Sequence, residues 1–168
     1  MKSIYNPQLQ LSEHFTLGEM CHSATAANHK PNPVPNIPLK CHITALQNLV
    51  DRALEPIRQH LGLPIKVNSG YRCEQVNSLV HGVPTSQHLK GEAADITIPK
   101  SHRPFAHGSD EQAVLLLYSY AKQYADYDQL IVEHQGYSWW LHISCRVDYR
   151  RNRHEKLKIE NGKTTKLD

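Results

Sequence analysis

Apolar residues recur at steps of three and four along one stretch of the chain. Ile43, Leu46, Leu49, Val50, Ala53, Leu54, Ile57 and Leu61 fall on one side of a helix and predict a stripe that packs on a core. Pro56 interrupts that stripe, so a kink is expected there, or an end to the helix's first part, because proline cannot donate to the preceding turn. Ala113, Leu116, Leu117, Tyr120 and Tyr124 predict a second long helix, with Ser109 and Gln112 spaced as a capping box at its start. Elsewhere the period falls to two. Ile65 and Val67 alternate with polar residues into a turn at Ser69-Gly70. Ala94, Ile96 and Ile98 alternate with Ala93, Asp95 and Thr97, which places Asp95 on the face turned away from the core. Gln129 to His134 and Ser138 to Cys145 read as an antiparallel hairpin, and Leu157 and Ile159 ahead of Asn161-Gly162 as another. Thr16 with Glu19 starts a short helix at Leu17, Cys73 to Val80 forms another, and the four prolines between 31 and 38 predict an extended surface loop. This order predicts an α+β fold, with helices packed on a mainly antiparallel sheet.

Composition changes that picture little. A chain of 168 residues, 39% hydrophobic and 21% charged, fits one globular domain over residues 1–168 and excludes disorder. The formal net charge of +3 is too small to imply a nucleic-acid partner, and none is expected. Six Lys or Arg gather against two acids between Arg146 and Lys158, in the basic C-terminal segment 146–168. A solvated basic tail explains them, with attraction to an anionic polymer such as a cell wall as the sharper alternative. Cys21, Cys41, Cys73 and Cys145 form no CxxC pair, so the spacing of a cysteine zinc site is missing and reduced thiols are expected. The start MKSIYNPQLQLSEHF lacks the apolar run of a secretory signal, and no stretch is long enough to span a bilayer. A chain synthesised in the cytoplasm is therefore expected.

The run from Ser86 to Ile96 carries the chemistry. His88 on a loop and Asp95 at the start of a strand could converge on one point, with Gly91, Ala93 and Ala94 leaving the backbone room to turn. Their spacing alone fits a metal site and also a loop histidine beside a hydrogen-bonded aspartate. His142 offers a third donor, because Leu141 and Ile143 would face the core and leave His142 on the other face with Trp140 and Ser144. An aromatic cross-strand cluster is the alternative there. Two histidines and one carboxylate leave a fourth tetrahedral position open, as a catalytic zinc requires.

These residues carry a resemblance. Ser69-Gly70-Tyr71-Arg72, Asn77, the run Ser86 to Asp95, and Trp140-Leu141-His142-Ile143-Ser144 resemble, in order and approximate spacing, the zinc-dependent D-Ala-D-Ala peptidases of the M15 group, which include many phage endolysins. The resemblance spans about residues 10–146. It implies a zinc ion held by His88, Asp95 and His142, and the α+β fold that these peptidases share with the hedgehog signalling domain. It also implies hydrolysis of peptidoglycan stem peptides, by a D-Ala-D-Ala carboxypeptidase or an endolysin-type endopeptidase. The missing signal peptide fits an enzyme released to the wall by a phage-type lysis system, and equally a cytosolic enzyme acting on wall precursors or recycled peptides.

The matching arginine of the family holds the substrate carboxylate, so Arg72 is expected to do so, which suits the bidentate fork of a guanidinium. An ion pair with Asp95 or Glu74 is its structural alternative. Ser86 is expected to bind substrate and Tyr71 to pack. The general base departs from the family pattern, because the positions two and three before the third ligand hold Trp140 and Trp139. Glu133 is the substitute: in a hairpin turning near 135–138 it lies opposite Trp140, on the face that carries His142. A register slip of one residue would turn it away and favour His134; Glu92 is the third candidate. The rival reading is a non-catalytic module on the same fold that binds peptidoglycan or a protein.

Overall fold

The Thr16 hydroxyl accepts the backbone N–H of Glu19 and starts the short helix α1 (Leu17–Cys21) where the sequence predicts it. The computed structural model describes residues 5–106 and 108–168, so Met1 to Ile4 of the N-terminal segment lie outside the described residues. Ser23 caps a second short helix, α2 (Ala24–Asn28), which the hydrophobic pattern does not announce. The proline-rich stretch is an irregular loop, as expected.

Two helices and the turn between them make up the first long helical run: α3 (Lys40–Leu49), a π-turn over Val50–Leu54, and α4 (Glu55–Leu61). Pro56 is the cause. It has no N–H to give the preceding turn, and the chain widens by one residue before it, with the Glu55 N–H reaching back to Val50. The Arg52 carbonyl, which an N–H at position 56 would otherwise meet, accepts from the Asp126 N–H at 2.9 Å. The expected kink or break is thus a widened turn, and the apolar stripe runs through it.

The other helices are α5 (Glu74–Leu79) and α6 (Asp110–Tyr124), the latter opened by the predicted Ser109–Gln112 capping box. The buried stripe of α6 is rotated from the expected one. Ala113, Val114, Leu117 and Ala121 are buried, whereas Leu116, Tyr120 and Tyr124 are half-buried. α6 packs against both α4 and the sheet, and the small Val114 and Ala121 allow that close approach.

Six strands form one sheet: β1 (Lys66–Ser69), β2 (Ala93–Thr97), β3 (Gln129–Gln135), β4 (Ser138–Ser144), β5 (Glu155–Glu160) and β6 (Lys163–Lys166), in the order β1-β2-β4-β3-β5-β6. Every pair is antiparallel except β3 with β5. The fold is α+β, as predicted. Ala94, Ile96, Leu130, Val132, Leu141 and Ile143 point to the face covered by α3, α4 and α6 and form the core with them. The alternate residues of β2, β3 and β4 therefore look out on the other face. β1 and β6 are the two edge strands, and all four residues of β6 are exposed.

Asp128 fixes the parallel pair. It is fully buried at the start of β3 and accepts from Arg146 Nε at 2.8 Å, from the Arg153 N–H at 2.9 Å and from Arg153 Nη2 at 2.6 Å. Its carbonyl takes the Glu155 N–H at 3.0 Å, which sets the register of β5. Burial pushes the Asp128 carboxyl up, but the hydrogen bonds from Arg153 and Arg146 outweigh it and hold the group at about 2. Because this value lies below the unfolded one, the stability gained is present above about pH 4 and is lost as the pH falls toward 2. Asp128→Asn is expected to cost about 2–3 kcal/mol at neutral pH, since it removes the carboxylate that Arg146 pairs with and leaves Arg153 only the longer 3.7 Å contact with Glu155. Urea unfolding of both proteins between pH 2 and pH 7 checks this, and the difference should narrow at the acid end.

Candidate metal centre

His88 lies in a 3-10 turn, Gln87–Lys90, that Ser86 opens by accepting the His88 N–H at 3.4 Å. Gly91 closes the turn at φ 73°, and a Cβ there would sit 2.7 Å from the His42 carbonyl oxygen. Glycine is what lets the turn lie against α3. The neighbouring loop 69–72 is tied to this turn twice. The Arg72 N–H donates to the His88 carbonyl at 3.1 Å, and His88 Nδ1 meets the Gly70 carbonyl at 2.7 Å. Gly70 itself is confined, because a Cβ there would stand 2.2 Å from the Met20 carbonyl oxygen. Asn36, from the proline-rich loop, clamps the same segment: its amide donates to the Tyr71 carbonyl at 2.8 Å and accepts the Cys73 N–H at 2.8 Å. The sequence reading missed Asn36; it stands among the prolines together with Asn32, and nothing local tells the two apart.

Asp95 on β2 pairs directly with His142 on β4, and both look out from the open face of the sheet. His142 Nδ1 is 3.0 Å from Asp95 Oδ1, and His88 Nε2 is 3.3 Å from each of those atoms. The three donors named from the sequence therefore meet at one point.

Their protons do not suffice for ordinary hydrogen bonding. The Gly70 oxygen can only accept, so His88 Nδ1 carries the proton of that ring. Burial lowers the His88 pKa, which favours the neutral ring and leaves Nε2 as a bare lone pair aimed at a carboxylate. The Asp95 carboxyl is held well below the usual carboxylate range despite the burial that would raise it, and the Arg72 guanidinium lies 2.6 Å from its Oδ2. At most one proton, on His142, is left among three electron-rich atoms. A cation relieves that repulsion, so these residues could hold a metal ion.

A second group, Glu13, His14 and Glu55, is also close enough to share an ion. There the Glu55 carboxylate accepts from the Ser12 hydroxyl, from Gln59 and from the His14 ring, and it clamps the 12–14 segment onto α4.

Arg72 makes the ion pair with Asp95 named from the sequence as its structural alternative. Its Nη2 is 2.6 Å from Asp95 Oδ2 and its Nε donates to the Ser69 hydroxyl at 2.8 Å. Arg72 lines a groove with Ile37, Leu39 and His42, and is not among the residues lining the cleft in front of the three donors. Tyr71 is buried and stacks on His42, as expected of a packing residue.

That cleft holds about 440 Å³ and is lined by Ser86, Gln87, Glu92, Glu133, His142 and Arg146 among others. A roomier groove along α3, near 700 Å³ between Ile43 and Arg52, brings no metal-binding group together. Glu133 stands opposite Trp140 in the expected register, two positions along β3 from the residue facing His142. Burial raises its pKa and the Asp95 charge adds to the rise, while His142 and a hydrogen bond from Trp140 oppose it. His134 is not brought to the site. It sits on the opposite face, stacked on Trp139 at 4.1 Å between ring centroids, with Nε2 on the Gly136 carbonyl. Glu92 does line the cleft, but its Oε1 accepts the Val147 N–H at 3.0 Å.

Among the described residues no helix is long and apolar enough to cross a membrane. Comparison with known families matches residues 13–133 to the model described as Peptidase M15. The match covers most of the chain and includes His88 and Asp95; it stops before His142, which strand pairing brings to the same point. No curated protein matches the sequence. The family's activity is peptide hydrolysis, and its α+β architecture is the one seen here. The chain belongs to the peptidase M15 family.

Proposed function

We propose that this protein is a zinc-dependent peptidase that hydrolyses the stem peptides of bacterial peptidoglycan. The observation that carries the reading is the triangle of His88 Nε2, Asp95 Oδ1 and His142 Nδ1, with edges of 3.0–3.3 Å, and Glu133 on the same face of the sheet. A tetrahedral zinc ion with nitrogen and oxygen ligands at about 2.0–2.1 Å keeps those atoms about 3.3 Å apart, which is the scale of this triangle. Two imidazoles and one carboxylate also suit zinc among the divalent ions. When bound, zinc supplies a Lewis acid that lowers the pKa of a water molecule and polarises a carbonyl group.

The protein's own groups do the remainder. The Gly70 carbonyl fixes the His88 tautomer, and Arg72 with Ser69 holds the Asp95 carboxylate in one orientation. Glu133 takes a proton from the attacking water and returns it to the leaving amine, a role that its raised pKa favours. The Ser86 hydroxyl, at the wall of the cleft, hydrogen-bonds the peptide backbone. Peptidoglycan as the substrate is supported by the resemblance of the Ser69–Arg72, Ser86–Asp95 and Trp140–Ser144 runs to the D-Ala-D-Ala peptidases.

The test is peptide release from purified peptidoglycan by zinc-loaded protein, with a chelated sample as control and mass spectrometry of the products. Loss of a single D-Ala would identify a carboxypeptidase, and release of cross-linking fragments an endopeptidase. Zinc binding with no release, from wall or from soluble stem peptides, would remove the peptidase reading in favour of a binding module.

A further inference from the structure

Arg146 is held at three points. Its N–H donates to Asn152 Oδ1 at 3.0 Å, its carbonyl accepts from Asn48 Nδ2 at 3.0 Å, and its Nε donates to Asp128 Oδ1 at 2.8 Å. The two Nη groups have no partner among the described residues, and the side chain, one-third exposed, lines the cleft that holds His142. A guanidinium fixed at its root with its outer edge free is ready to receive a planar anion.

Arg146 shares the Asp128 carboxylate with Arg153, whose Nη1 also lies 3.7 Å from Glu155, and Lys90 lines the same cleft, as does Glu92, whose Oε1 accepts the Val147 N–H. Glu133 stands at the other end from Arg146: along β4 the order is Trp140, facing Glu133, then His142, then Ser144, with Arg146 beyond. Gln87 adds an independent observation. It lines the same cleft, and both atoms of its side-chain amide are buried without a hydrogen-bond partner. An orphaned buried amide is costly unless a ligand completes it.

We propose that Arg146 and the Gln87 amide form a subsite for a carboxylate of the substrate. The protein then prefers acidic peptides, with a free carboxylate on one side of the scissile bond. That the ligand is a peptide rests on the peptidase reading. Arg146 lies four residues past His142, about 13 Å along an extended chain, and its side chain spans part of that length. The recognised carboxylate therefore belongs about two residues from the bond that is cut. Glu133 repels the same group from the opposite end, so the pair also fixes the direction in which the peptide lies.

The experiment uses two soluble stem-type peptides that differ only in a free carboxylate against a carboxamide at that position. Binding is measured by calorimetry to zinc-loaded protein carrying Glu133→Gln to slow turnover, and kcat/KM is measured with the unaltered enzyme. The acidic peptide should bind about tenfold more tightly, and the advantage should shrink with added salt. Arg146→Gln should abolish the preference and leave affinity for the carboxamide unchanged. Equal affinity for the two peptides, or a preference that survives Arg146→Gln, overturns the subsite. The comparison of the two peptides holds even if that variant folds poorly. A clear preference without hydrolysis leaves the subsite standing and removes the peptidase reading; hydrolysis of both peptides with equal affinity removes the subsite alone.

Discussion

His142→Ala should abolish tight zinc binding and lower peptidase turnover by at least ~1000-fold, equivalent to about 4 kcal/mol of transition-state stabilisation. The size follows from the geometry. His142 is the only donor supplied by β4, and its Nδ1 closes the triangle with Asp95 and His88. With alanine there, His88 and Asp95 remain as a two-point site, too few to hold the ion against water or to keep it in one place. Zinc content after dialysis, read beside turnover, checks the result. His134→Ala is the matched control: its ring lies on the opposite face, stacked on Trp139, so zinc content should not change. Retention of one equivalent of zinc by the His142 variant, at undiminished affinity, would show that the metal lies elsewhere.

The second large effect separates metal binding from chemistry. Glu133→Gln keeps the size of the side chain and removes its ability to take a proton, so turnover should fall by roughly 10²–10⁴ while zinc affinity stays within about twofold. Glu133 is not one of the three converging donors, which is why the two quantities should part. Turnover within about tenfold of the unaltered protein would strip Glu133 of the role. Glu92 would then be next, since it lines the same cleft; freeing it would require its bond with the Val147 N–H to break.

What the sequence made legible follows the range of the forces involved. Period-two alternation put Asp95 and His142 on the face away from the core, and strand pairing made them neighbours. The choice between Glu133 and His134 turned on the hairpin register alone. The two-residue link Gly136-Tyr137, with Gly136 at φ 61°, sets that register so that Glu133 faces Trp140. Arg72 was harder. A guanidinium suits a substrate carboxylate and a protein carboxylate equally well, and only the folded loop 69–72 shows Asp95 within reach.

Long-range devices left weaker marks. Nothing local announces that β5 runs parallel to β3, because the pairing depends on Asp128 meeting arginines 18 and 25 residues further along. The π-turn before Pro56 was legible as a disturbance but not in kind. Proline forbids the normal bond, and the alternative depends on what else can satisfy the Arg52 carbonyl, here the N–H of Asp126. Arg146 was counted with a basic tail, since its three anchors come from separate parts of the chain.

The edge strand β6 bears on how this protein meets copies of itself. An uncovered strand edge is a template on which another chain can add and begin aggregation. β6 reads Lys163-Thr164-Thr165-Lys166 and is exposed throughout. Antiparallel pairing of two such strands in register would set Lys163 of one against Lys166 of the other, and like charges directly opposed weaken a ladder. The two lysines thus guard this edge of the sheet: it stays open to water and disfavours pairing with its own copy.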